Sequence, residues 1–92
     1  MRAILLAKPI IRKSLPNLYK SDVMKFLRVH GKVIEDNSSG GSHTDVMFTP
    51  YGGTERPITV PGHNNKHIPI GTLKGIIKRS GIPEEKWRNF RY

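Results

Sequence analysis

Four histidines, His30, His43, His63 and His67, are the residues in this chain best suited to proton transfer at neutral pH. An imidazole has a reference pKa of ~6.5, which is why histidine is the side chain suited to either proton-transfer role near neutral pH. His43 has the most informative setting, GGSHTDVMF, residues 40 to 48. Gly40 and Gly41 allow another backbone to come close, and their N–H groups could hold an anionic oxygen. Ser42 adds a hydroxyl that could orient a bound group. From the residues alone, His43 reads most simply as an ordinary strand-edge histidine, with an acid/base role as the sharper reading. His63 follows a strand and is either a second acid/base or a residue that hydrogen-bonds its loop, the structural role being preferred. His30 and His67 read as packing or surface residues.

Other chemistries find less support. There is no cysteine, so thiolate nucleophiles, cysteine metal sites and disulfides are excluded. The histidines show no ligand-like pairing, and the seven carboxylates are scattered. Neither a metal nor another cofactor is expected, and no Gly-rich nucleotide loop is present. Tyr19, Tyr51 and Tyr92 could stack on bases, but nothing in their spacing marks a platform.

Charge narrows the partner. Sixteen Lys and Arg against seven Asp and Glu leave a net charge of +9 and a pI of about 10.3. A polyanion is the natural partner for such a chain. The charge is uneven: residues 1–32 hold eight basic residues and the single acid Asp22, and residues 66–92 hold seven basic residues and two acids. Residues 33–65 hold only Arg56 against four acids. The charge alone admits nucleic acid, an anionic membrane or an acidic protein. No apolar run approaches the ~18 residues of a membrane span, so no transmembrane helix is expected. The partner is expected to be RNA rather than a membrane. The run Ala3–Ala7 is too short for a signal-peptide core. A cytoplasmic location is expected.

Elements must position these groups. Pro9 and Pro16 break any helix in residues 1–20; the pieces 3–7 and 10–12 could each form a short strand. This stretch is read as an appended, partly ordered arm, and residues 21–92 as the domain. Ser21 looks like an N-cap, with Asp22 favourable in the first turn and Gly31 as the stop, giving a helix over 22–30. Strands are expected at 32–36, 44–49 and 57–60, separated by NSSGG and PYGGTER turns. By period two, Val46 and Phe48 share one face, and His43, Asp45 and Met47 the other. Leu73, Ile76 and Ile77 mark a helix over 72–80 closed by Gly81. Pro83-Glu84-Glu85 opens a final helical turn, with Trp87 and Phe90 packing. Three consecutive strands joined by short turns form an antiparallel meander, and both helices must cover one face of it. The expected fold is therefore α+β, an α-β-β-β-α layout like that of a double-stranded-RNA-binding domain.

Three motifs in order point further: Gly41-Ser42-His43, then Ile58 to His63 (ITVPGH), then Ile70 to Ile82 (IGTLKGIIKRSGI). The set closely resembles the HicA toxins, the mRNA interferases of bacterial HicAB toxin–antitoxin systems, over about residues 21–86. Two departures stand out. Residues 1–20 lie outside the usual family core. An aromatic commonly sits three residues after the histidine, where this chain has Val46.

The resemblance implies an endoribonuclease that cleaves mRNA, with His43 catalytic. Gly41, Ser42 and His63 are read from their chemistry as its supporting residues, and the lack of a ligand set makes the expected cleavage metal-independent. It also implies a HicB-type antitoxin that covers the site. Cleavage without metal needs a base for the 2′-OH and an acid for the 5′-oxygen leaving group, roles that histidine suits. Lys25 and Arg28 on the first helix, and Lys74, Lys78 and Arg79 on the second, could neutralise RNA phosphates or simply be solvated. A non-catalytic RNA-binding module of the same fold is the alternative, and a nuclease-dead relative acting as an antitoxin or regulatory partner is a third.

Overall fold

The computed structural model describes residues 11–36, 43–62 and 65–92. Helix α1 (Lys20–His30) leads into strand β1 (Gly31–Asp36), β2 (Thr44–Pro50) and β3 (Arg56–Val60). Helices α2 (Ile70–Ser80) and α3 (Glu84–Arg88) follow. The sheet is open and antiparallel in the order β1-β2-β3. This α-β-β-β-α arrangement is the one expected from the sequence, consistent with the layout of a double-stranded-RNA-binding domain.

The alternation in β2 sorts the two sheet faces. Thr44, Val46 and Phe48 are buried, whereas Asp45 and Met47 are exposed. Ile58 and Val60 of β3 join the buried face. Both long helices pack there, α1 through Val23, Met24, Phe26 and Leu27, and α2 through Leu73, Ile76 and Ile77. Their spacing of three and four residues is what puts those side chains on one stripe.

Helix α1 begins two residues earlier than expected, and Ser21 is not its N-cap. Tyr19 holds that position, and its N–H donates to the Asp22 carboxylate at 2.8 Å. That bond is the reciprocal half of a capping box, so the third helical residue supplies the side chain that ties down the start. Ser21 lies exposed in the first turn.

Gly31 ends α1 for a different reason from the one expected. Its φ of 176° is extended backbone and it is already the first residue of β1. A side chain there would run into the Thr49 carbonyl oxygen, the Pro50 Cα and the Phe48 ring. Close strand approach, not a left-handed turn, requires glycine. Gly81 does take the left-handed conformation (φ 74°), and its N–H donates to the Lys78 carbonyl to close α2.

Residues 11–19 run without regular secondary structure, so residues 11 and 12 are not strand; residues 3–7 lie outside the described residues. Leu18 is buried, and its carbonyl accepts from the Ile68 N–H at 2.8 Å. Trp87 and Phe90 pack as expected. Phe26 stacks on Trp87 with ring centroids 3.7 Å apart and meets Phe90 edge-on at 5.1 Å. The Tyr92 hydroxyl donates to the Trp87 carbonyl at 2.6 Å.

Candidate nucleic-acid interface and catalytic residue

His43 stands immediately before β2 and is exposed. The next residue, Thr44, is buried opposite Val60 in the β2–β3 register. Two residues further, Val46 is buried opposite Ile58. The backbone at His43 is thus held on one side by a strand whose alternate side chains are locked into the core. By the same alternation His43 falls on the open face of the sheet, with Asp45 and Met47.

That face carries features that the sequence alone does not bring together. Asp36, the last residue of β1, lies directly across from Asp45. On its other side Asp45 faces Thr59, whose Oγ1 donates to Asp45 Oδ1 at 2.8 Å. Ile34 and Met47 are opposite each other and both exposed, with Pro57 beyond Met47. A shallow cavity of about 160 Å³ opens among Asp36, Asp45, Met47, Pro57 and Thr59. The strand period already placed Asp45 beside His43. Asp36 and Thr59 were missed, because cross-strand register carries no signal within one short segment.

Gly41, Ser42 and His63 lie outside the described residues. The two other histidines take packing or surface positions. His30 stacks on Phe26 at 4.0 Å, and its Nδ1 is 2.9 Å from the Phe26 carbonyl. His67 is exposed beside Tyr19, the rings 4.3 Å apart.

The five basic candidates are all exposed but do not form one cluster. Lys25 holds its ammonium 6.0 Å from the Phe90 ring centroid. Arg28 pairs with Glu35 at 3.2 Å. Helix α2 runs antiparallel to β3, since Arg56 at the start of β3 donates to the Arg79 carbonyl at the end of α2. Lys78 and Arg79 therefore lie at the sheet end opposite His43. Lys74 lies nearer the His43 end, one turn from the start of α2.

Among the described residues, no three His, Asp or Glu side chains come close enough to share a metal ion. No helix there is long and apolar enough to cross a membrane. Burial raises the Tyr92 phenol well above its ordinary range, against an opposing pull from Arg12.

Comparison with known proteins adds one finding. A family model described as the HicA toxin of bacterial toxin–antitoxin systems matches residues 21–82, from the first turn of α1 to just past the Gly81 cap. No curated protein and no solved structure matches the chain. The match spans well over half of the 92 residues and takes in all three strands, both long helices and His43. This chain belongs to the HicA family of toxins from bacterial toxin–antitoxin systems.

Proposed function

We propose that this chain is the toxin of a type II toxin–antitoxin system and acts as an endoribonuclease on mRNA in the cytoplasm. The observation that carries the proposal is the setting of His43 in a HicA chain: exposed, at the mouth of β2, on a backbone anchored by the buried Thr44 and Val46. In the proposed reaction the 2′-OH attacks the adjacent phosphorus and the P–O5′ bond breaks. The 2′-OH proton passes to a base and the departing 5′-oxygen takes a proton from an acid. His43 fills one of these roles, with Gly41, Ser42 and His63 as its supporting residues. No metal ion is needed, because proton transfer and phosphate binding supply the catalysis.

Lys25, Arg28, Lys74, Lys78 and Arg79 contribute to RNA affinity through the long-range field of a +9 chain. The cognate partner is a HicB-type antitoxin that covers His43. Expression of the wild type and His43→Ala tests the reading. His43→Ala keeps its circular dichroism and melting temperature while RNA cleavage falls by roughly 10²–10⁴. Full cleavage by a folded His43→Ala protein overturns the assignment, and a wild type that binds RNA without cutting it makes the chain a binding module.

A further inference from the structure

The segment before α1 and the start of α3 lie outside the HicA match, yet together with α2 they enclose a groove of about 430 Å³. One wall is formed by Lys13, Ser14 and Asn17. The other is formed by Ile70 and Lys74 of α2, with Glu84 beyond. We propose that this groove is a binding subsite for the backbone of single-stranded RNA. The proposal rests on the nuclease reading above and extends it to a site built partly by residues the family match does not cover.

The groove holds three charged side chains. Glu84 is paired with Arg88 at 3.0 Å. Among the described residues, neither Lys13 nor Lys74 is paired with a carboxylate, and both are exposed. The two ammonium groups therefore face solvent as phosphate-binding charges. Ser14 and Asn17 are exposed and offer a hydroxyl and an amide, the groups that bond a 2′-OH or a base edge. Ile70, exposed at 55%, gives an apolar surface for a ribose or base. A free phosphate would use only the lysines; a nucleotide chain uses all three kinds of group.

The position of the groove suits a strand that continues to His43. The end of β3 at Val60 pairs with Thr44, next to His43. Because α2 runs antiparallel to β3, its first residue, Ile70, lies at that same end. The outer wall is also held in place. Leu18 is buried and bonded to Ile68 next to the start of α2, and Arg12 is bonded to residues 88–90 at the other end of the segment.

The test uses a fluorescein-labelled, unstructured 20-nucleotide 2′-O-methyl RNA, which lacks the nucleophilic 2′-OH and survives the enzyme. Binding is measured by anisotropy across a salt series for wild type, Lys13→Gln, Lys74→Gln and the double variant, each checked by circular dichroism. Each replacement is expected to flatten the slope of log K against log salt by roughly 0.7 and to weaken binding about fivefold at 0.1 M salt. With cleavable RNA of the same length, Lys13→Gln raises KM and leaves kcat unchanged. An unaltered slope in the folded double variant overturns the groove, as does a wild type that does not bind the probe. So does a result in which the lysine changes weaken an antitoxin complex but not RNA binding. A wild type that binds with the expected lysine dependence but does not cut sinks the nuclease reading and keeps the groove. Normal cleavage with no lysine dependence does the reverse.

Discussion

Arg12 and Arg88 bond each other's backbone across 76 positions of sequence. The Arg12 guanidinium donates to the Arg88 carbonyl at 2.6 Å, and Arg88 Nε donates to the Arg12 carbonyl at 3.1 Å. Arg12 also donates to the Phe90 carbonyl, and its own N–H donates to Asn89 Oδ1. This latch ties the leading segment to the tail, the two parts that flank the family match. Arg12→Ala is expected to lower stability by roughly 1.5–3 kcal/mol, the usual worth of hydrogen bonds to a charged group. Urea unfolding checks it; an unchanged midpoint would show that the latch is not needed for the fold.

Gly31 is expected to tolerate no side chain. Its backbone is extended, so alanine would meet no conformational penalty, only the Thr49 and Pro50 backbone and the Phe48 ring. Two of those three neighbours are main chain and cannot swing away. Gly31→Ala should therefore cost about 1–3 kcal/mol through overpacking, or more if β1 separates from β2. Thermal melts compare it with Gly71→Ala, where the added carbon has open space.

Glu35 restrains Arg28 through an exposed ion pair. Such pairs add only ~0–1 kcal/mol to stability. Glu35→Gln should leave the melting temperature nearly unchanged. If Arg28 contacts RNA, the freed guanidinium should tighten binding and steepen its salt dependence. Unchanged RNA affinity would remove Arg28 from the interface.

Tyr92 links stability to alkaline pH. Burial raises its phenol above the ordinary ~10. Between those two values the unfolded chain loses a proton that the folded chain keeps. Stability from this group is therefore fully present below pH ~10 and is lost as pH rises toward the folded value. Tyr92→Phe should lose the hydrogen bond to Trp87, at about 0.5–1.5 kcal/mol near neutrality, and should fall less steeply above pH ~10. Parallel pH–stability curves for the two proteins would contradict this.

The proposed cleavage chemistry leaves a definite product. Attack by the 2′-OH yields a 2′,3′-cyclic phosphate and a 5′-hydroxyl, and a single 2′-deoxy substitution at the cut site should abolish cleavage there. Cleavage should persist in EDTA. Mass spectrometry of the fragments, with and without chelator, decides; 5′-phosphate ends would require water as the nucleophile instead.

The element order, the apolar stripes of α1 and α2 and the two faces of β2 were all legible in the sequence. Each depends on periods of 3.6 or two that a short segment carries by itself. The stop of α2 at Gly81 was legible too, and the structure adds that this glycine is left-handed. The exposed position of His43 followed from the alternation that buries Thr44 and Val46; the acid/base role proposed for it comes from the motif that it shares with a family. Only the tertiary structure decided why Gly31 is glycine, that Asp36 and Thr59 flank Asp45, and that Arg12 locks onto the tail. It also decided that Lys74 stands with Lys13 in one groove while Lys78 and Arg79 lie at the far end of α2. These facts depend on strand register and on contacts between residues dozens of positions apart. Such contacts are set by which surfaces the whole chain can bury together, and no local pattern of residues encodes them.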